Sequence, residues 1–115
     1  MKKQIQTDFN DVMIANKSVK NAEVVEKSDY CDQKFEKIVS DLSLQSIKLG
    51  FSNYVEIANF LKQEIRAKTG LECFVSVGLL DFSICQTWLY NNRKFIALKI
   101  GNLLITINQM HVRNN

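Results

Sequence analysis

Residues 95–108 read FIALKIGNLLITIN and contain the pattern that decides the fold. Gly101-Asn102 is a two-residue hairpin signal between two β-rich runs, Lys94–Ile100 and Leu103–Asn108. Apolar residues occupy adjacent as well as alternate positions in these runs, which is typical of strands in a sheet that is covered on both sides. The stretch therefore predicts an antiparallel hairpin in a sheet with two buried faces.

Two earlier runs share the two-residue period of β-strands. In Leu71–Gly78, cysteine and valine alternate with other residues, and Leu80–Tyr90 alternates in the same way. Asn91-Asn92-Arg93 is predicted to form the turn that leads into the hairpin. The sequence after Gly70 thus predicts four strands.

Upstream of Gly70 the apolar residues follow the 3.6-residue period of amphipathic helices. One stripe begins near Ser28 and stops at Gly50, and a second begins after Asn53 and stops at Gly70. Asn53 with Glu56 three residues later is a variant of the capping box that starts helices. This order predicts an α+β fold with two N-terminal helices packed on a four-stranded antiparallel sheet.

The chain has 115 residues, of which 46% are apolar and 23% charged, with no proline and a net charge of +3. This composition excludes a wholly disordered chain and leaves room for one small domain with a tail. Basic residues are spread along the chain, so no nucleic-acid partner is expected. No apolar run approaches the roughly 20 residues of a membrane span, so we expect no membrane contact and a cytoplasmic location.

The cysteines, Cys31, Cys73 and Cys85, lack CxxC spacing and favour free thiols in a reducing compartment. A zinc site built from them and His111, the single histidine, is disfavoured because metal ligands usually cluster at short spacing. We therefore expect no metal and no cofactor. We also expect no enzyme activity, because no nucleophile has a nearby base and no glycine-rich phosphate loop is present.

The first 16 residues are polar, with Ile5, Phe9, Val12 and Met13 at near-helical spacing. The segment is interpreted either as a frayed tail or as a short amphipathic segment that docks on a partner. We expect residues 1–18 to form a flexible extension, residues 19–109 the domain, and residues 110–115 a C-terminal tail.

Two helices cover only one face of such a sheet. At roughly 20–33 cal/mol per Å2, the apolar surface of the other face favours burial, most simply against a second copy or a paralogue. Phe74 and Trp88 are candidates for that dimer interface, the alternative being that each belongs to the core of one chain. Free strand edges in such a dimer can capture an extended peptide by strand addition.

Several segments in matching order resemble the eight-kilodalton dynein light chain family. Ile57–Lys68, IANFLKQEIRAK, is similar to that family's second helix, Ile-Ala-x-x-Ile-Lys-Lys-Glu-Phe-Asp-Lys-Lys. Gly78 matches the glycine that closes its first long strand, and Phe95-Ile96 with Ile100-Gly101 resembles the lead into its final hairpin. Lys20–Val24, KNAEV, resembles its Lys-Asn-Ala-Asp-Met stretch. The resemblance covers residues 19–109.

The resemblance implies a dimer that exchanges the strand Leu80–Thr87, with a dynein intermediate-chain segment added alongside it. The run Lys94–Ile100 supplies the floor of the implied groove, and the start of the second helix supplies a wall. By this resemblance the groove residues are Tyr54, Val55, Asp81, Phe82, Ser83, Ile84, Cys85, Gln86, Thr87, Phe95, Ala97 and Lys99.

Departures from the family pattern indicate a specialised paralogue. Tyr54 and Val55 replace the acidic–lysine pair that grips a ligand glutamine, and Ala97 and Lys99 replace tyrosines of the groove floor. Phe74 replaces a histidine at the dimer two-fold. We therefore expect a light chain with a fixed partner, as a homodimer or a heterodimer with a paralogous light chain, for which an axonemal outer arm of a cilium is a fitting cytoskeletal setting. The alternative is a general hub that binds short linear motifs of many partners.

Overall fold

Three helices and four strands are formed by residues 9–79 and 93–110, the parts of the chain that the computed structural model describes. The four strands make one antiparallel sheet in the order β1-β3-β4-β2, so the fold is α+β. In chain order the elements are α1 (Phe9–Asn16), β1 (Glu23–Lys27), α2 (Gln33–Lys48), α3 (Tyr54–Thr69), β2 (Cys73–Leu79), β3 (Phe95–Ile100) and β4 (Leu103–Gln109).

Side-chain caps set the starts of α2 and α3. The Asp32 carboxylate accepts a hydrogen bond from the Phe35 backbone N–H at 2.8 Å, and the Asn53 side chain accepts one from the Glu56 N–H at 2.9 Å. The α3 helix therefore begins where the sequence predicts. The α2 helix begins five residues beyond Ser28, because Ser28 instead donates its backbone N–H to the carbonyl of Phe95.

The hairpin of β3 and β4 is confirmed. Gly101 in its turn has φ +60°, and Ile100 pairs with Leu103 across it. The β2 strand pairs with the other side of β4. The Leu80–Tyr90 strand lies outside the described residues, so the fourth strand of the observed sheet is a different one.

The unpredicted strand is β1, which pairs with β3 and completes one side of the sheet. A bulge between Val24 and Glu26 shifts its register, and most of its residues are exposed. Its sequence, EVVEK, does not alternate between apolar and polar residues, so no pattern predicts it. It becomes a strand by pairing with β3.

One face of the sheet packs with the helices into a single hydrophobic core. The α3 helix contacts both α2 and β2. The fully buried side chains with the largest volumes come from the helices and the sheet, namely Val12, Val39, Ile47, Ile57, Leu61, Ile65, Ile96, Leu98, Ile100, Leu103, Ile105 and Ile107.

The α1 helix adds Val12 and Met13 to the same core. This differs from the flexible extension expected for residues 1–18, because residues 9–16 are helical and pack against the chain's own domain. The near-helical apolar spacing of the segment is thus satisfied within the chain.

Candidate partner-binding site

The sheet has a face that the helix-side core does not use. Because side chains alternate along strands, this second face is defined by every other residue of three strands. Its residues are Phe74, Ser76 and Gly78 of β2, Leu104, Thr106 and Asn108 of β4, and Phe95, Ala97 and Lys99 of β3.

Phe74 is the conspicuous residue of the second face. It is 60% exposed, whereas Phe95 on the same cross-strand row is only 4% exposed. Asn108 lies between them, paired with Phe74 on one side and with Phe95 on the other. The row thus runs from an exposed aromatic ring on an outer strand to a buried one on an inner strand.

Asn108, in the middle of this row, has a hydrogen-bond acceptor without a partner among the described residues. Its Oδ1 atom is buried and has no hydrogen-bond partner within the described part of the chain. A buried acceptor without a partner costs about 1–3 kcal/mol. The exposed ring of Phe74 is the part of this row that an added partner could cover.

The strand that carries Phe74 is an outer one. In the sheet formed by residues 9–79 and 93–110, β1 and β2 are the two outer strands. An outer strand directs N–H and C=O groups away from its neighbour and can pair with an added strand. Leu80–Thr87, the segment expected to be exchanged, follows β2 directly in sequence and lies outside the described residues, as does Trp88.

The predicted floor residues, Phe95, Ala97 and Lys99, belong to the second face in an inner strand. The loop after β1 holds this strand at Phe95. The Ser28 N–H and the Cys31 thiol both donate to the Phe95 carbonyl, at 2.9 and 3.0 Å, and the Phe95 N–H donates to Ser28 Oγ.

The predicted wall residues, Tyr54 and Val55, begin α3. Tyr54 packs against the helix-side core, and its ring meets the Phe9 ring edge-on with centroids 4.9 Å apart. Burial raises the pKa of the Tyr54 hydroxyl, which finds no hydrogen-bond partner among the described residues. Val55 is exposed. The residues expected to join wall and floor are Asp81–Thr87, so the complete groove stays a prediction.

The thiols in the described residues are poorly suited to nucleophilic chemistry. Burial, followed by the charges of Glu72 and Cys31, raises the pKa of the Cys73 thiol from 9.0 to about 11. Burial also raises the pKa of Cys31. Both side chains are buried and unbridged, so they remain protonated at neutral pH. Cys85 and His111 lie outside the described residues.

Neither a metal site nor a membrane-spanning helix is found in the described parts of the chain. No group of three or more His, Cys, Asp or Glu side chains there is placed to hold a metal ion. No helix within residues 9–79 or 93–110 combines the length and the apolar character that crossing a membrane requires.

Sequence reasoning missed one pocket of about 300 Å3 between the start of α2 and the end of α3. Its lysines, Lys34, Lys68 and Lys94, are far apart in sequence, so no local motif indicates it. Lys94 is already engaged, because its ammonium donates to the Tyr30 carbonyl and lies 5.4 Å from the centroid of the Phe35 ring.

Together the fold and the second face describe a small α+β protein whose outer strand β2 carries an exposed aromatic side chain. No model of a known protein family matches the chain, and no curated protein matches it.

Proposed function

We propose that the chain is a non-catalytic light chain subunit of a dynein motor complex. In this proposal it dimerises and clamps an extended intermediate-chain segment by strand addition, within the cytoplasmic cytoskeleton and in an axonemal outer arm. The observation that carries the proposal is the outer strand β2 with Phe74 60% exposed on the second face.

Phe74 supports the dimer on energetic grounds. Burying a phenylalanine side chain contributes about 1.5–3 kcal/mol relative to leaving it in water. In a symmetric dimer each copy contributes the same patch, so the gain is made twice. The resemblance to the light chain family assigns this position to the dimer two-fold, independently of its exposure.

The position of β2 in the chain supports strand exchange. The segment Leu80–Thr87 continues directly from the outer strand of the described sheet. An exchanged segment of this kind would supply a neighbour to the outer strand of a second copy, and its own free edge would accept the partner peptide. Two such grooves favour a bivalent partner through effective concentration.

The start of α3 favours a dedicated subunit over a general hub. A hub needs the charged pair that grips a ligand glutamine, and this chain has Tyr54 and Val55 there. Tyr54 is also packed against Phe9. A fixed partner makes such a change tolerable, since it does not have to present the family's common motif.

The test is the native mass by light scattering at low micromolar concentration, alone and with a dynein intermediate-chain peptide. We expect a dimer of the 13.3 kDa chain that gains the mass of two peptides. A well-folded monomer that does not associate would refute the dimer. Recovery of an intermediate chain from a ciliated extract with the tagged protein supports the motor setting, whereas micromolar binding to a broad panel of motif peptides favours the hub.

A further inference from the structure

The α1 helix sits against the residue that the proposed function places in the wall of the partner groove. Phe9, the first residue of α1, contacts the Tyr54 ring edge-on at 4.9 Å between centroids. One turn later, Val12 and Met13 are buried in the core. Tyr54 is therefore covered by a segment that lies upstream of the family-like region.

The other end of α1 is fastened to the β3–β4 turn. The Asn16 side-chain amide donates to the Val12 carbonyl at 2.9 Å and also to Asn102 Oδ1. In return the Asn102 backbone N–H donates to Asn16 Oδ1 at 3.3 Å. A Cβ atom on Gly101 would overlap Asn16 Oδ1, so the turn accepts this contact only because it has glycine there.

The α1 helix is stable only while it is docked on the rest of the chain. A helix of eight residues is too short to be stable by itself in water, so α1 depends on its docking contacts. Its outer face is not packed, since Ile14 is 68% exposed. Release of α1 would expose Val12 and Met13 but would break no strand pairing, because α1 is not part of the sheet.

From this placement we propose that α1 is an internal competitor for the partner site, covering the Tyr54 wall until a partner segment displaces it. The inference rests on the proposed function, because that function makes Tyr54 part of the groove. Partner binding and α1 docking then oppose each other, and by linkage each weakens the other by the same factor.

The first test measures binding of a fluorescent dynein intermediate-chain peptide to the full chain. Phe9→Ala removes the aromatic contact with Tyr54 and so favours the state in which α1 is undocked. It should therefore tighten peptide binding about 10-fold. Ile14→Ala is the matched control, because it shortens an exposed side chain of the same helix, and its affinity should stay within about twofold of the wild type.

The second test needs no variant. Hydrogen exchange of the wild-type α1 amides, followed with and without saturating peptide, should become faster in the complex while the amides of α3 stay protected. Unchanged or slower exchange in α1 would overturn the competitor.

The outcomes separate the two proposals. Peptide binding of equal strength to the wild type and Phe9→Ala, with unchanged α1 exchange, overturns the competitor and leaves the light chain function standing. No peptide binding to any of the three proteins overturns both. Tighter binding to Phe9→Ala alone, with faster α1 exchange in the complex, supports both.

Discussion

Gly101 is needed for two reasons, its left-handed backbone and the close approach of the Asn16 side chain. Its backbone has φ +60°, and the position where a Cβ atom would stand is taken by the Asn16 side chain. Gly50 has a similar φ of +78° but no atom within 4 Å of that position. Substitutions at Gly50 and Gly101 can therefore distinguish the cost of backbone strain from the cost of losing the contact between α1 and the turn.

We expect Gly50→Ala to lower the free energy of unfolding by about 1 kcal/mol, from the left-handed backbone alone. Gly101→Ala should lower it by about 1 kcal/mol more, because the displaced Asn16 amide loses its hydrogen bonds to Asn102. Urea denaturation of both variants measures the difference. Equal losses would mean that Asn16 contributes nothing at this turn.

Cys73 makes stability depend on alkaline pH. Its folded-state pKa of about 11 lies above the value of 9.0 for an unfolded thiol, so the folded chain holds the proton more tightly. The resulting stabilisation is complete below pH 9 and is lost as pH rises towards 11. Between pH 8 and pH 10 this thiol should cost about 1 kcal/mol of unfolding free energy.

Chemical denaturation at both pH values checks this effect against Cys73→Ala. The variant lacks the thiol and should lose about 1 kcal/mol less stability than the wild type over the same interval. Other groups titrate in both proteins and cancel in the comparison. Parallel pH profiles would contradict a buried, protonated Cys73.

At the scale of elements, α3 is the helix whose start is most completely specified. Asn53 accepts from the Glu56 N–H, and the Glu56 carboxylate accepts from both the N–H and the hydroxyl of Ser52. Those hydrogen bonds lower the pKa of Glu56. The stabilisation from this carboxylate is present at neutral pH and is lost as the pH falls below the ordinary range for glutamate.

Asn53→Ala should reduce the free energy of unfolding by about 1 kcal/mol, because the helix loses its N-cap acceptor. Asn59→Ala is the matched control, since Asn59 is exposed in the middle of the same helix and alanine favours helix there. Thermal unfolding of both variants should show a lower Tm for Asn53→Ala only. A similar decrease for Asn59→Ala would assign the loss to the removed amide instead of the cap.

Elements that carry their own signals could be predicted from the sequence. The α3 helix has its cap and its apolar stripe, and the β3–β4 hairpin has Gly101-Asn102. The β1 strand, EVVEK, has no such signal, because most of its residues are exposed and it forms a strand only by pairing with β3. The docking of α1 was equally hidden, since Phe9 and Tyr54 meet only in the folded chain.

The candidate site likewise contains some features that the sequence predicts and others that it does not. Two-sided apolar strands indicate that the second face exists, and the size of Phe74 marks it as a residue to be covered. Neither pattern contains the contact between Tyr54 and Phe9, which depends on how α1 and α3 pack together. Asp81–Thr87 and Trp88 lie outside the described residues, so their part in the groove is still a prediction from the resemblance.

At the scale of the whole molecule, the two outer strands of the described sheet differ in kind. The β2 strand carries the exposed ring of Phe74 opposite Asn108, whose buried Oδ1 atom has no hydrogen-bond partner among the described residues. The β1 strand is bulged and carries glutamate and lysine, features that protect a strand edge from pairing with another chain. If the chain dimerises as proposed, the interface therefore forms on the β2 side.

Phe74→Asp should weaken the proposed dimer at least about 100-fold, because two rings are lost from one symmetric interface and a charge replaces each. Val25→Asp is the matched control, since Val25 is 54% exposed on the opposite outer strand. The wild type and Val25→Asp should sediment as dimers, with a Tm that rises with protein concentration. Phe74→Asp should sediment as a monomer at low micromolar concentration. If Val25→Asp dissociates the dimer and Phe74→Asp does not, the interface lies on β1; if both variants remain dimers, neither outer strand forms it.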